Sequence, residues 1–305
     1  MQKIICIGHA AYDITLPMEF YPIENTKMRI APGVECGGGA AANAAYLLSK
    51  WGMDTSFIGM VGNDLYGSRI KEEFKAIGTN IDYLETSKDF HTSTSYILAN
   101  LENGSRTIIV SRDKNQYVEN RKFDFSPAGI LVDGEEPEVS LHLLTQYPEC
   151  ISVIDAGNLK PGIIKLCPYV QYLVCSKDFA EEYTNEKIQV EDINTLLKVY
   201  QKIRNDFHNT VVITLGSDGS FTVIDEKPIV IPTLHIGKPV DSTAAGDIFH
   251  GAFTYFICNG YSLYDTVLLS NIAGALSVME LGGKNSMPEL DKVLEWKDRI
   301  YHERS

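Results

Sequence analysis

The sequence predicts an α/β fold in which a mostly parallel β-sheet is covered on both faces by helices. Short apolar runs alternate with helix-length segments along most of the 305 residues, which is typical of βαβ units. The predicted strands are apolar along their length, as expected of strands buried on both faces. Two segments, about 12–36 and 92–112, are extended or have period-two character without helices. We therefore expect a three-layer α/β/α core with a small separate β-sheet.

The core elements follow from these patterns in chain order. Strands are predicted for KIICIG (3–8), TSFIGMV (55–61), ISVID (151–155), YLVCS (172–176) and VVITLG (211–216). Helices are predicted where apolar residues recur at helical spacing, in segments 40–50, 64–77, 177–184, 191–207, 247–259, 263–280 and 288–301. The N-terminal MQKIICIGHA is expected to form the first strand rather than a signal peptide, because it becomes polar too early for one.

The two segments without helices are predicted to form a lid. TSYILANLENGSRTIIVSRD (94–113) has the pattern of a hairpin that turns at Glu102-Asn103-Gly104. A small sheet inserted in an α/β core often excludes water during group transfer. Without repeats or linkers, the sequence predicts one domain over 1–305, with the lid inserted from about 12–36 and 92–112.

Composition limits the partners and the compartment. The net charge is −13 and the isoelectric point is about 5.0, which argues against nucleic acid as a partner. An anionic substrate must then be bound by backbone N–H groups, bound cations and a few local basic residues. The six cysteines form no CxxC and are expected to be buried thiols of a reducing cytosol. No apolar run approaches the ~20 residues of a membrane span, so we expect a cytoplasmic protein.

The stretch DSTAAGDIFHGAF (241–253) places small residues and an acid before an apolar helix. Backbone N–H groups at a helix N-terminus attract anions, and Ala244, Ala245 and Gly246 would let a phosphate approach them closely. Asp247 could then take a proton from a hydroxyl that attacks the phosphate. An acidic helix cap is the alternative.

The stretch CGGGAAANAAYLLSKWG (36–52) places three glycines before an Ala-rich helix. One interpretation is close packing of this helix on the sheet. Another is a dinucleotide fingerprint, Gly37-x-Gly39-x-x-Ala42, although IAPGVE (30–35) before it is not the apolar strand that this motif requires. Asn43 would need a polar partner if buried, and a substrate hydroxyl would serve.

Two further stretches suggest a ligand at the carboxyl end of the sheet. VVITLGSDGSFTV (211–223) is either a plain hairpin turn or a nucleotide contact at the end of a strand, where ligands of open α/β sheets bind. SNIAGALSVMELGGKNSMP (270–288) begins with a small-residue helix that permits close approach of a neighbouring helix or of a flat base. Walker, HExxH, GxSxG and zinc patterns are absent, and the seven histidines are scattered and expected to be structural or exposed.

Together these stretches resemble the ribokinase family of carbohydrate kinases, also called the PfkB family, over essentially the whole chain. The family's N-terminal Gly-Gly signature is similar to GGGAAAN (37–43), and its DTxxAGDxF signature is similar to DSTAAGDIF (241–249). The resemblance implies an ATP-dependent sugar kinase. A non-catalytic sugar or nucleotide sensor on the same fold stays as the alternative from another class, because fold alone does not prove activity.

The resemblance also implies a role for each matching position. Asp247 matches the general base, and Ala244, Ala245 and Gly246 with the Asp247 N–H match the anion hole. The sugar contacts match Asp13, Gly38, Gly39 and Asn43. The nucleotide contacts match Thr214, Gly216, Gly219 and, beside the adenine, Asn271. A monovalent cation such as K⁺ is implied next to the anion hole, at Asp241, Thr243, Ser277, Gly282 and Ser286. Mg²⁺ accompanies ATP, and the lid commonly also forms a homodimer contact.

One motif departs from the family pattern, and the substrate stays open. Many members carry Asn-x-x-Glu near Mg²⁺, but here Ser176 and Phe179 take these places in CSKDFAEEY (175–183). Glu181 or Glu182 could substitute, or the ion could be held otherwise. Asp13 with Asn43 favours a polyhydroxylated sugar. The alternatives are a nucleoside, suggested by Tyr12, Tyr21 and Tyr96, and a sugar phosphate, suggested by Lys27, Arg29, Arg106 and Arg112.

Overall fold

A nine-stranded, mostly parallel sheet crosses the centre of the molecule. The structure is a computed structural model that describes residues 3–113, 117–120 and 126–303. In order across the sheet, the strands are β5 (Leu84–Ser87), β4 (Asp54–Gly62), β1 (Lys3–Ile7), β8 (Gly129–Val132), β9 (Ile151–Ala156), β10 (Tyr172–Ser176), β11 (Thr210–Thr214), β12 (Ser220–Ile224) and β13 (Lys227–Ile231). Only the β11–β12 and β12–β13 pairs are antiparallel.

Helices cover both faces of this sheet. On one face lie α1 (Ala40–Lys50), α2 (Leu65–Ile77), α7 (Ala245–Cys258), α8 (Leu263–Ser277) and α9 (Leu290–Glu303). On the other face lie α3 (Pro137–Gln146), α4 (Pro161–Leu166), α5 (Lys177–Thr184) and α6 (Ile193–Phe207). Strand β1 shows why two layers are needed: Ile4 and Cys6 point into one core and Ile5 and Ile7 into the other, because side chains alternate along a strand.

A small four-stranded sheet stands apart from the central one. Its strands, in order, are β3 (Val34–Gly38), β2 (Ala11–Met18), β6 (Ser93–Asn100) and β7 (Arg106–Ser111). Strands β6 and β7 form the predicted hairpin, and Gly104 has a φ of 71° in its turn. Segment 19–33 contains no helix or strand. The predicted three-layer core and separate small sheet are therefore confirmed.

The elements that the sequence did not predict are mostly short. Strands β5 and β8 have four residues each and α4 has six, too few for a periodic pattern to stand out. Strand β13 and helix α3 were also missed. All six cysteines are free and buried, as predicted. Among the described residues, no helix combines the length and apolarity needed to cross a membrane.

Candidate active site

The N-terminus of helix α7 leaves backbone N–H groups open. Ala244 caps the helix with φ 61° and ψ 3°, a left-handed turn that is unusual for a residue other than glycine. Among the described residues, no protein acceptor pairs with the N–H groups of Gly246 and Asp247. A Cβ built on Gly246 would meet no heavy atom within 4 Å. This helix end therefore has free donors, a favourable dipole and room for an anion.

The carboxylate of Asp247 lies in this first turn and faces the start of α1. Asn43 donates from Nδ2 to Asp247 Oδ2 at 2.7 Å. Asn43 is buried, and its Oδ1 has no hydrogen-bond partner among the described residues. Because an unpaired buried amide oxygen is costly, this atom fits a hydroxyl donated by a ligand next to Asp247.

A second carboxylate, Asp13 on β2, faces the same space. Asp13 is 6% exposed. The pKa of its carboxyl is raised to about 6: burial and the charge of Asp247 raise it, and a hydrogen bond with Ser95 lowers it. A Cβ on Gly38 would lie 2.0 Å from Asp13 Oδ2, so the neighbouring strand must carry glycine there. The Asn43–Asp247 hydrogen bond and the influence of Asp247 on Asp13 place three polar side chains near one another, a set suited to bind hydroxyls.

A cavity of about 430 Å³ opens on the other side of the α7 N-terminus. Its walls include the four positions predicted for the nucleotide and the start of α7: Thr214, Gly216, Gly219, Asn271, Ala245 and Gly246. Gly216 and Gly219 have φ values of 63° and 92°, which explains why glycine occupies this tight turn. The amide of Asn271 is engaged within the protein, since it accepts from Ser220 and donates to the carbonyl of Ile231. Its amide therefore shapes the cavity wall.

The small sheet contacts the loop that precedes α7. The carbonyl of Gly104, in the β6–β7 turn, accepts a hydrogen bond from Ser242 N at 3.0 Å. Arg106 donates to Ser242 Oγ at 2.9 Å and lines the cavity. The sequence suggested Arg106 for a sugar phosphate, whereas the structure places it in the wall of the cavity that contains the positions predicted for the nucleotide.

Four of the five positions predicted for a monovalent cation are joined by hydrogen bonds, and Ser277 is the chain neighbour of a residue bonded to this group. Asp241 accepts from Thr243 N, Thr243 Oγ1 and Gly282 N. Ser286 N donates to Gly282 O. Ser277 directly precedes Val278, whose carbonyl accepts a hydrogen bond from Asp241 N. The set offers one carboxylate and otherwise neutral carbonyl and hydroxyl oxygens. That chemistry fits a weakly hydrated monovalent cation better than a divalent one, which prefers carboxylates.

The positions of the missing Asn-x-x-Glu motif have structural roles. Ser176 caps α5 through a 3.0 Å bond from Phe179 N, and Phe179 is fully buried. Glu181 is paired with Lys187 at 2.6 Å, and Glu182 is exposed. Among the described residues, no group of three or more His, Cys, Asp or Glu side chains could hold a metal ion. This part of the chain therefore does not reproduce the family's magnesium arrangement.

The alternative of a dinucleotide at the start of α1 is excluded by geometry. Strand β3 before this helix belongs to the small sheet rather than to the core. The Asp133 carboxylate accepts from Ala41 N at 3.1 Å and from His9 N at 2.8 Å. A protein carboxylate therefore occupies the place that a pyrophosphate would need.

Comparison with known proteins identifies the family. Residues 1–290 match the family described as pfkB family carbohydrate kinase. The chain belongs to this family of kinases. A nucleoside kinase of Methanocaldococcus jannaschii is 27% identical over 97% of this chain and 96% of its own length. The ribokinase of Bacillus subtilis is 25% identical over 97% and 99%.

A solved structure shows the same fold for the kinase. Arabidopsis thaliana ribokinase complexed with ribose and ATP superposes with a TM-score of 0.82 at 24% identity, over 96% of this chain and 98% of the other. The predicted family and fold class are thus confirmed, and the chain is a kinase of the pfkB carbohydrate kinase family.

The kinase also has polar groups near the site that sequence reasoning missed. Lys284 is 7% exposed and pairs with Glu73 at 2.6 Å, and Glu73 accepts from Gly37 N at 2.9 Å. This chain of contacts joins the cation-site loop, α2 and strand β3. His250, expected to be structural or exposed, is buried directly beneath the α7 N-terminus.

Proposed function

We propose that this kinase transfers the γ-phosphoryl group of ATP to a hydroxyl of a small polyhydroxylated sugar. The observation that carries the proposal is the position of the α7 N-terminus. Ala245 and Gly246 at this helix start line the cavity of the nucleotide loop, and Asp247 in the same turn is bonded to Asn43, with the Asp13 carboxyl near it. A phosphoryl group that passes from one side to the other must cross this helix end.

The chemistry assigns one role to each side of the helix end. Asp247 takes the proton of the sugar hydroxyl while the oxygen of that hydroxyl bonds to the γ-phosphorus. The bond between this phosphorus and the ADP oxygen breaks. The open N–H groups of Gly246 and Asp247 stabilise the charge on the transferring group, since positioning and charge stabilisation dominate phosphoryl transfer. Asp13 and Asn43 orient the sugar. A non-catalytic sensor would need no general base, so it would not account for the carboxylate of Asp247.

The contacts of the rival substrate candidates support an unsubstituted sugar. Arg112, suggested for a sugar phosphate, is paired with Glu135 at 2.8 Å, and Arg106 faces the nucleotide side. The ring of Tyr12, suggested for a base, is stacked on Tyr66 at 4.5 Å, and its hydroxyl accepts from Arg69. The nucleoside kinase among the relatives keeps a nucleoside as the second candidate.

The cations complete the proposal. A monovalent ion such as K⁺ would be held by the oxygen cluster at Asp241, Thr243, Ser277, Gly282 and Ser286, and would add positive charge next to the anion site. Mg²⁺ would arrive with ATP and neutralise phosphate charge. This acidic chain has few basic groups to do so.

The small sheet has two proposed roles, as a lid and as a homodimer contact. Its turn is bonded to Ser242, which supports exclusion of water from the transfer. Strand β7 lies at the edge of the sheet, with Ile108, Ile109 and Val110 44%, 56% and 54% exposed. An apolar edge strand is a template for pairing with another chain, and a second copy of β7 fits it. The six free, buried thiols support a cytoplasmic location.

The test is ADP release from Mg-ATP with K⁺ present, across pentoses, hexoses, sugar acids, sugar phosphates and nucleosides. We expect one unsubstituted sugar to give the highest kcat/KM. A preference for a nucleoside or a sugar phosphate would replace the proposed substrate class. ATP binding without turnover on the whole panel would favour the sensor.

A further inference from the structure

His250 lies one helical turn after Gly246, underneath the N-terminus of α7. It is 4% exposed. Its Nδ1 lies 2.6 Å from Gly246 O and 3.1 Å from Asp155 Oδ2, and its Nε2 lies 3.1 Å from Val174 O. The reaction described above does not use this side chain.

The three neighbours of the ring determine its charge. The carbonyl oxygens of Gly246 and Val174 can only accept a hydrogen bond. The carboxyl of Asp155 is likewise only an acceptor when it is ionised. A neutral imidazole carries a single N–H, so one ring nitrogen would face an acceptor without a proton. The imidazolium form donates from Nδ1 to Gly246 O and from Nε2 to Val174 O, and its charge faces the Asp155 carboxylate.

A buried cation requires a counter-charge, and Asp155 provides it. Asp155 is 6% exposed and lies at the end of β9. Burial raises the pKa of its carboxyl above the usual value; the charges of His250 and Lys160 oppose this rise, and the charge of Asp247 adds to it. These are the charged groups that face the pair from β9, α7 and the segment before α4.

The contact with Gly246 matters because of peptide geometry. The carbonyl of Gly246 and the N–H of Asp247 belong to one peptide unit. In a trans peptide these two groups lie in one plane and point in opposite directions, and no cis peptide occurs in the described chain. A donor that holds the carbonyl from below therefore also fixes the direction of the Asp247 N–H above.

We propose that His250, as an imidazolium paired with Asp155, is a positioning residue of the anion hole. It anchors the Gly246 carbonyl so that the Asp247 N–H faces the transferring phosphoryl group. This inference rests on the proposed function of the α7 N-terminus. It assigns a task to two buried groups that are 95 residues apart in the sequence, at positions 155 and 250.

Variants separate positioning from packing. His250→Leu removes both donors at similar volume. His250→Asn keeps one neutral donor close to the Nδ1 position. Thr254→Val is the matched control, because Thr254 is buried in the same helix and also bonds the carbonyl four residues earlier, at 2.9 Å, but one turn away from the site.

We expect His250→Leu to lower kcat by about 10–100-fold, since loss of an anion-hole donor costs up to ~10³-fold. KM for the sugar and for ATP should change little. His250→Asn should recover most of kcat, and Thr254→Val should match wild type in kcat despite a similar loss of stability. In the ¹⁵N spectrum of labelled wild-type protein at pH 7.5, both ring nitrogens of His250 should carry protons.

Two results would overturn the inference. One is a His250→Leu kcat equal to that of Thr254→Val while Asp247→Asn is inactive. The other is a single protonated ring nitrogen in the spectrum. Failure of the proposed function has a different signature, because turnover would then survive Asp247→Asn itself. If His250→Leu does not fold, the ¹⁵N spectrum of the wild-type protein decides the question.

Discussion

Replacing Asp13 with Asn should stabilise the fold while it weakens sugar binding. Asp13 is 6% exposed, and the pKa of its carboxyl rises from 3.8 to about 6. This difference corresponds to a loss of about 3 kcal/mol in the free energy of unfolding at neutral pH, where Asp13 is ionised. Asn has the same shape without the charge, so up to about 3 kcal/mol should be recovered.

The gain must depend on pH with a definite sign. Between about pH 4 and 6 the folded chain holds a proton on Asp13 that the unfolded chain has lost, so wild-type stability falls as the pH rises through this window. Asp13→Asn removes this term. Its advantage over wild type should be near zero at pH 4 and complete above pH 6.

Thermal unfolding at pH 4 and pH 8 measures the effect. At roughly 2 °C per kcal/mol for a chain of this size, Asp13→Asn should melt up to about 6 °C above wild type at pH 8. Asp298 is an exposed acid on α9, so Asp298→Asn is the control, and its melting temperature should equal that of wild type. A melting temperature below that of wild type at pH 8 would refute the reasoning.

Sugar binding should move in the opposite direction. Loss of a charged hydrogen-bond acceptor costs about 1.5–3 kcal/mol, which raises KM for the sugar by roughly 10–100-fold. In the wild type, KM should also rise as the pH falls below about 6, because protonated Asp13 is a weaker acceptor. Asp13→Asn should lose this pH dependence of KM. A wild-type KM for the sugar that is constant from pH 5 to 8 would contradict the assigned role of Asp13.

The remaining predictions concern glycines of the site and the edge of the small sheet. Gly246→Ala should raise stability by about 0.5–1 kcal/mol, since its Cβ meets no atom, yet lower kcat by blocking the phosphate space; unchanged kinetics would contradict the anion site. Gly38→Ala would place a Cβ 2.0 Å from Asp13 Oδ2, so KM for the sugar should rise with little change in KM for ATP, and equal effects on both would argue against separate subsites. Ile109→Lys should convert a dimer to a monomer in analytical ultracentrifugation, and a wild-type monomer would eliminate the proposed contact.

The sequence determines the architecture through signals that are local. Strands such as β1 and β11 are predicted because each is an unbroken apolar run, and helices such as α6 because their apolar residues recur at helical spacing. Strand β8 and helix α4 escape detection because four or six residues cannot establish a period. The small sheet follows from its alternation and from the Asn-Gly turn.

The site divides in the same way. The positions in GGGAAAN and DSTAAGDIF are visible because small residues next to a polar one are unusual in a packed helix. His250 has no such signal, since its partners on β9 and β10 are far away in sequence. Lys284 looks like an exposed turn residue in GGKNS, and only folding brings it to Glu73, 211 positions earlier. Contacts between distant residues therefore account for what the sequence does not predict.

The most direct test of the account is the turnover of Asp247→Asn with the best sugar of the panel. Because general-base catalysis contributes ~10²–10⁴-fold, kcat should fall by at least about 100-fold. KM for ATP and the melting temperature should stay close to wild type, since Asn can keep the bond with Asn43. Turnover within a few-fold of wild type would contradict the role of Asp247 and with it the proposed mechanism.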